Sequence, residues 1–184
     1  MESLRGRLLI AGPSLQDPNF RRTVVLVASH DDEGAMGVVL NRPTPVNVGD
    51  AVPRLGRLAG EEATVFAGGP VQPSSVIVLA EFADPARAGL VVAGDVGFLP
   101  ADLDLDLDAD LELELRRVRV FAGHAGWGPD QLEAELEEEA WFTGDTLADE
   151  IFSPDAEGLW GAALERKGGP YALLARLPDD PRVN

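Results

Sequence analysis

The chain has two imidazoles, His30 and His124, and both sit where a side chain can take part in acid–base work. His30 heads the run His30-Asp31-Asp32-Glu33, one imidazole followed by three carboxylates. A histidine within reach of a carboxylate is the smallest unit of general acid–base catalysis. Metal binding asks more, because ligands must converge from fixed positions and consecutive turn residues rarely all point one way. The run therefore reads as a solvated acidic turn. His124 lies in Gly123-His124-Ala125-Gly126-Trp127-Gly128-Pro129, just ahead of an acidic stretch that reads as a helix. Free N–H groups at a helix start attract anions, and glycines let a ligand approach the backbone. The order G-x-x-G-x-G is not the dinucleotide fingerprint, no Walker motif occurs, and Asp130, Glu133 and Glu135 disfavour phosphate there. The segment reads either as a tight turn with Trp127 in the core or as the wall of a pocket.

Other residue types narrow the chemistry further. None of Ser14, Ser29, Ser74, Ser75 and Ser153 stands in a G-x-S-x-G nucleophile elbow. The absence of cysteine excludes disulfides, thiol catalysis and cysteine-ligated zinc. Arg21-Arg22 is either an anion-binding pair or a solvated edge that guards a strand. Asn19, Asn41 and Arg42 fall at strand or turn boundaries, where side-chain to backbone hydrogen bonds are the usual role.

The elements that must position these residues come in a distinct order. Strands are predicted at Leu8–Ala11, Thr23–Ser29, Gly37–Leu40, Ala63–Ala67, Ser75–Phe82, Val91–Val92, Val96–Leu99 and Val118–Ala122, from their β-branched and apolar runs. Gly68-Gly69-Pro70 breaks regular structure between two of them. Residues 102–114 alternate acid and leucine, which reads either as a half-buried strand or as a loop turning helical. A helix is predicted over 130–140, with Pro129 at its first position, Leu132 and Leu136 inward and the glutamates outward. Further helices are predicted over Asp145–Phe152, with Leu147 and Ile151 stacked, and from a Ser153 cap with Pro154 to Lys167, burying Leu159, Trp160, Ala163 and Leu164. Tyr171–Leu177 reads as a last strand and Pro178–Asn184 as a polar tail. Strands first and helices late is the α+β order.

At 184 residues the chain has room for one domain, 1–184. Its net charge of −17 is concentrated: residues 101–160 hold eighteen acids against three bases. Such a block repels nucleic-acid phosphates and anionic membrane surfaces. The apolar stretch Leu8-Leu9-Ile10-Ala11 is too short for a signal sequence or a membrane span. A cytoplasmic location is the resulting expectation.

The residues also resemble a known family. Leu8-Leu9-Ile10-Ala11-x-Pro13, Asp17-x-Asn19-Phe20-x-Arg22-Thr23-Val24-Val25, His30-Asp31 through Gly34-Ala35-Met36-Gly37, and Asn41-Arg42-Pro43 are similar to the YqgE/AlgH family of bacterial proteins. So are Gly68-Gly69-Pro70-Val71, Gly94-Asp95, Gly126-Trp127-Gly128-Pro129-x-Gln131-Leu132-Glu133-x-Glu135, Trp141 and Asp180-Pro181-x-x-Asn184. The resemblance implies an α+β single domain with a strongly bent, barrel-like, mostly antiparallel β-sheet flanked by helices. It carries a label of transcriptional regulator but no established biochemical activity. His124 stands where members usually have tyrosine, and Ala125 where some have serine or cysteine, which counts against hydroxyl or thiol chemistry there.

These readings predict a non-catalytic regulatory or binding protein, with no cofactor or metal, whose partner is another protein or a small molecule rather than DNA or a membrane. The candidate ligand-binding residues are Asn19, His30, Asn41, Arg42, Gly68, Gly69, His124, Trp127 and Gln131. They lie near the turns Gly34–Gly37, Asn41–Pro43, Gly68–Pro70 and Gly123–Pro129, expected to share one site. The rival reading is a hydrolase using His30 or His124 with a carboxylate. A DNA-binding regulator comes third, with no helix-turn-helix visible.

Overall fold

The strand β1 (Leu8–Ala11) has all four side chains out of contact with solvent. Leucine or isoleucine buried in this way contributes roughly 2 kcal/mol each, so β1 must be covered on both faces. The computed structural model describes residues 2–100 and 114–178. The tract 102–114, apart from Glu114, and the tail beyond Pro178 lie outside the described residues.

β1 pairs antiparallel with β2 (Val24–Asp31), and β2 pairs with β3 (Gly34–Val39) in the expected hairpin. Both hairpin strands run further toward the turn than their apolar runs suggest, to Asp31 opposite Gly34. The spine of the fold is β9 (Leu115–Trp127). Its first part pairs antiparallel with β6 (Val71–Phe82), and its last residues pair with β3, Ala35 opposite Trp127. β7 (Leu90–Ala93) and β8 (Val96–Phe98) extend the sheet beyond β6, while β10 (Trp141–Gly144) lies on the other side of β1. β4 (Pro43–Asn47) pairs with β5 (Thr64–Ala67), and β5 joins β9 in a parallel pairing. The described residues thus form one ten-stranded, mostly antiparallel sheet that does not close on itself. With the helices around it, the architecture is α+β.

Six short helices accompany the sheet among the described residues. α1 (Val48–Ala51) and α2 (Pro53–Ala59) follow β4 and cover a small core of Val48, Leu55, Val65, Val78 and Val120. α3 (Gln131–Glu137) packs Leu132 into the main core, and α4 (Ala148–Ile151) buries Ile151. α5 (Leu159–Lys167) lays Leu159, Trp160, Ala163 and Leu164 against β1 and β2, and α6 (Pro170–Leu174) packs on α5.

Several expectations are corrected here. Tyr171–Leu177 is not a strand: Pro170 opens helix α6 at its first turn. Gly123–Trp127 is not a turn but the continuation of β9. The 130–140 helix is shorter, starting at Gln131 because Asp130 has a left-handed φ of 61° and Pro129 precedes the helix. Ser153 does not cap α5, which begins six residues later behind Gly158, whose N–H donates to Asp155 Oδ1 at 3.0 Å. Leu147 is 46% exposed and does not stack on Ile151 in the core.

Candidate functional site

Three segments that are distant in sequence meet at the end of β2. The loop after β1 contributes Gln16 and Pro18 and then turns at Asp17, whose carbonyl accepts from Phe20 and Arg21 N–H. Arg21 and Arg22 lead directly into Thr23 and β2. Asn41 and Arg42 join β3 to β4, and Glu157 and Trp160 come from the start of α5. Together they line a polar recess of about 900 Å³. Among the described residues its charged lining is three guanidiniums and one carboxylate.

Each wall is fixed by bonds that the sequence makes locally. Asn41 is 8% exposed, and its amide bridges the two strands. Oδ1 accepts from Val24 N–H at 3.0 Å and Nδ2 donates to the Arg22 carbonyl at 2.9 Å. That clamp holds Arg22 at φ 53°, a left-handed conformation that costs a non-glycine residue of the order of 1 kcal/mol. The Arg22 guanidinium then lies 4.5 Å from the centre of the Trp160 ring and donates to the Leu177 carbonyl. Trp160 is anchored in turn by Nε1 donating to the Ala11 carbonyl at 2.9 Å. Arg42 Nη2 donates to the Arg21 carbonyl at 2.6 Å.

Asn41 and Arg42 are the two expected site residues that line this recess. Their side-chain to backbone bonds are those anticipated for polar residues at strand boundaries. Asn19 stands nearby in the exposed turn, its N–H on Asp17 Oδ1 at 2.8 Å, but is not part of the lining. Arg21 and Arg22, an anion-binding pair or a solvated edge by sequence and outside the expected site residues, and Trp160, expected in a core stripe, also line it. The signal available was the adjacent arginine pair itself.

The remaining expected residues gather elsewhere. Gly34–Gly37, Gly68–Pro70 and Gly123–Trp127 are neighbours: β3 pairs with the end of β9, and Gly68 N–H donates to the Ala122 carbonyl at 2.8 Å. A Cβ on Gly68 would stand 2.2 Å from the Gly123 carbonyl oxygen, and one on Gly69 2.2 Å from His124 backbone atoms. These glycines therefore serve close backbone packing over β9. Asn41–Pro43 reaches the same neighbourhood through Ala67 N–H on the Arg42 carbonyl at 2.8 Å. His124 is half-buried on β9, with Nδ1 3.3 Å from the Ala125 carbonyl.

Trp127 is a core residue, 7% exposed, in tilted contact with Phe20 and edge contact with Trp141. Its Nε1 and that of Trp141 donate to the same oxygen of Glu135, at 2.9 and 2.8 Å. Gln131 donates to the other Glu135 oxygen at 3.0 Å and accepts from Gly128 N–H at 3.0 Å. The expectation that the α3 glutamates face water is thus corrected for Glu133 and Glu135, which both turn toward the sheet.

His30 is 8% exposed and so is not part of a solvated turn, although Asp31, Asp32 and Glu33 are exposed. Its Nδ1 accepts from Leu4 N–H at 3.0 Å, which places the proton on Nε2. Nε2 meets Glu133 Oε1 at 2.6 Å. The Glu133 carboxyl is held below its ordinary value, first by this hydrogen bond and then by its own backbone N–H. The histidine–carboxylate pair of the rival reading therefore exists. With both ring nitrogens engaged, His30 has no lone pair to offer a substrate.

No group of three or more histidine, aspartate or glutamate side chains among the described residues is arranged to hold a metal ion. A second cavity, about 540 Å³, is walled mainly by apolar side chains such as Met36, Leu55, Val78 and Phe98, with no charged residue in its lining among the described residues. No helix among the described residues is long and apolar enough to cross a membrane.

The architecture and much of the sequence recur in other proteins. A UPF0301 protein of Streptomyces coelicolor is 47% identical over 100% of this chain and 97% of its own length. One from Chlorobaculum tepidum is 35% identical over 97% and 95%. The crystal structure of a Corynebacterium diphtheriae protein superposes with a TM-score of 0.85 at 27% identity, covering 95% of this chain and 92% of that one. The solution structure of the AlgH protein from Pseudomonas aeruginosa does so with a TM-score of 0.69 at 29% identity, covering 97% and 96%. The AlgH-like family model matches residues 8–172, a span that takes in the recess, the His30–Glu133 pair and the two-indole cluster, and the chain belongs to that family.

Proposed function

We propose that this chain is a non-catalytic cytoplasmic binding protein that holds a small organic anion in the arginine recess, occupancy being what a regulatory protein partner reads. One observation carries the reading. Arg21, Arg22 and Arg42 converge from two separate segments on one depression, in a chain whose net charge is −17. A surface left to the average composition of this chain would be acidic, so the local excess of guanidinium is the reverse of the background. The volume lies within the usual range of ligand sites, roughly 300–1,000 Å³. The left-handed Arg22, kept in place by Asn41, supports the same reading, because backbone strain of this kind concentrates at functional positions.

Direct nucleic-acid recognition forms no part of the proposal, since phosphate-backbone binding needs a broad basic footprint rather than one small recess. The test is thermal unfolding of the purified protein against phosphate, citrate, malate and nucleotides, at constant ionic strength with chloride as reference. A saturable rise in Tm with at least one anion, absent in Arg42→Ala, is the expected result. No rise above chloride with any of them would overturn the reading.

A further inference from the structure

We propose that the anion is a phosphate monoester bound as its dianion by Arg21 and Arg42, an inference that rests on the binding reading above. Three features of the recess lead there. The first is donor geometry. Arg42 spends one N–H on the Arg21 carbonyl at 2.6 Å, which seats its head on the Arg21 backbone, and both residues line the same recess. Among the described residues, the rest of the Arg42 fork and the Arg21 guanidinium meet no acceptor in the protein. Guanidinium forks bind carboxylates and phosphates in pairs of parallel hydrogen bonds, and a terminal phosphoryl group brings three oxygens to one point. An extended dicarboxylate would need two separated cationic loci instead.

The second feature is charge. Arg21 and Arg42 bring two guanidiniums to the lining, a charge that a dianion matches and a monoanion does not. Arg22, stacked on Trp160 and hydrogen-bonded to the Leu177 carbonyl, supplies field from a fixed place rather than a movable arm. The third is Glu157 itself. Its carboxylate is the one acceptor-only side chain in the lining among the described residues, suited to a hydroxyl or amino group on the ligand body next to the phosphoryl group. A ligand of this class is therefore read at two points, the phosphate by arginines and a donor by Glu157.

Isothermal titration with four probes separates the possibilities: glycerol 2-phosphate, inorganic phosphate, dimethyl phosphate and succinate. Glycerol 2-phosphate is expected to bind one to one. Its affinity should fall at least about tenfold in Arg21→Ala, whose side chain makes no described contact, and likewise in Arg42→Ala. Because the second phosphate ionisation lies near pH 6, affinity should drop about fourfold between pH 7.5 and 5.5. The recess contains no histidine to contribute in that interval. Dimethyl phosphate, a monoanion, should not bind. Inorganic phosphate should bind more weakly than the ester, and Glu157→Gln should narrow that gap. Succinate binding without glycerol 2-phosphate binding would overturn the phosphate assignment while leaving an anion-binding recess intact. Inorganic phosphate binding as tightly as the ester would overturn the ester assignment. Heats that are equally small for every probe, and unchanged in Arg21→Ala, would overturn both this inference and the reading beneath it.

Discussion

His30 on β2 and Glu133 on α3 are joined by a 2.6 Å hydrogen bond from Nε2 to Oε1, the one side-chain hydrogen bond among the described residues that ties the helix after β9 to the hairpin. The bond lowers the carboxyl's folded-state value below its ordinary 4.5. A carboxylate depressed on folding contributes stability in full above its unfolded value and loses it as pH falls through the folded one. Stability of the wild type should therefore decline on acidification below about pH 5 more steeply than that of Glu133→Gln. Urea unfolding of both proteins between about pH 7 and pH 3 checks this, and parallel curves would show that the bond carries no such linkage.

Glu135 satisfies two buried indoles with one oxygen. Replacing it with alanine leaves the Nε1 groups of Trp127 and Trp141 without an acceptor. Each unsatisfied buried donor costs about 1–3 kcal/mol, so Glu135→Ala should lose about 2–4 kcal/mol, the lower end where water reaches the gap. Glu135→Gln keeps an acceptor oxygen and should lose about 1 kcal/mol. Glu137, exposed on the same helix, should tolerate alanine within about 0.5 kcal/mol. Denaturation midpoints rank the three, and tryptophan emission should shift to the red in Glu135→Ala alone.

Gly69 should be among the least replaceable residues of the fold. It has φ +149°, and a Cβ there would stand 2.2 Å from the backbone of His124 on the central strand. Neither backbone can yield without breaking the pairing of β9. Gly69→Ala should cost more than about 3 kcal/mol. Gly94 has φ +55° with open space around it, so its alanine variant pays the conformational term alone, about 1 kcal/mol. Thermal unfolding of the pair separates steric from conformational glycine.

The strands that carry the core are legible because burial on both faces forces continuous apolar runs, as in Leu8–Ala11 and Val24–Val27. What escapes is local structure decided by neighbours. Gly123–Trp127 carries the composition of a turn, yet β3 and the 68–70 loop pack on it and keep it extended. Val48–Ala59 spaces Val48, Val52, Leu55 and Ala59 at helical intervals, but two glycines and a proline interrupt the stripe, and it becomes α1 and α2 over the small core that Val48 and Leu55 enter. Tyr171–Leu177 is apolar without a period. There the cue was Pro170 behind two glycines, a helix-start signal that outweighs β-like composition.

The candidate site was legible by residue type but not by grouping. Arginine and asparagine at strand boundaries stood out, and two of them, Asn41 and Arg42, line the recess. Its other wall comes from α5, more than a hundred residues away, and no spacing rule links Trp160 to Arg22. The glycine and tryptophan motifs stood out equally well, but Gly68 and Gly69 serve backbone packing and Trp127 the core. A motif marks a physical constraint without saying whether it is one of folding or of binding.

Asn41 is where the two constraints coincide, and it can be set against Asn19. The Asn41 amide takes both the buried Val24 N–H and the Arg22 carbonyl, whereas Asn19 is exposed on its turn. Asn41→Ala should cost about 2 kcal/mol, chiefly through the stranded N–H. It should also release Arg22 from its left-handed conformation and so loosen the wall of the recess, lowering affinity for glycerol 2-phosphate about fivefold with Arg21 and Arg42 still present. Asn41→Asp keeps the acceptor for Val24 but loses the donor to Arg22. It should therefore recover part of the stability and little of the affinity. Asn19→Ala should change neither quantity. Unfolding curves and titrations on the three variants decide the matter. An Asn41→Asp protein that regains full affinity would mean that Arg22 needs no clamp to complete the site.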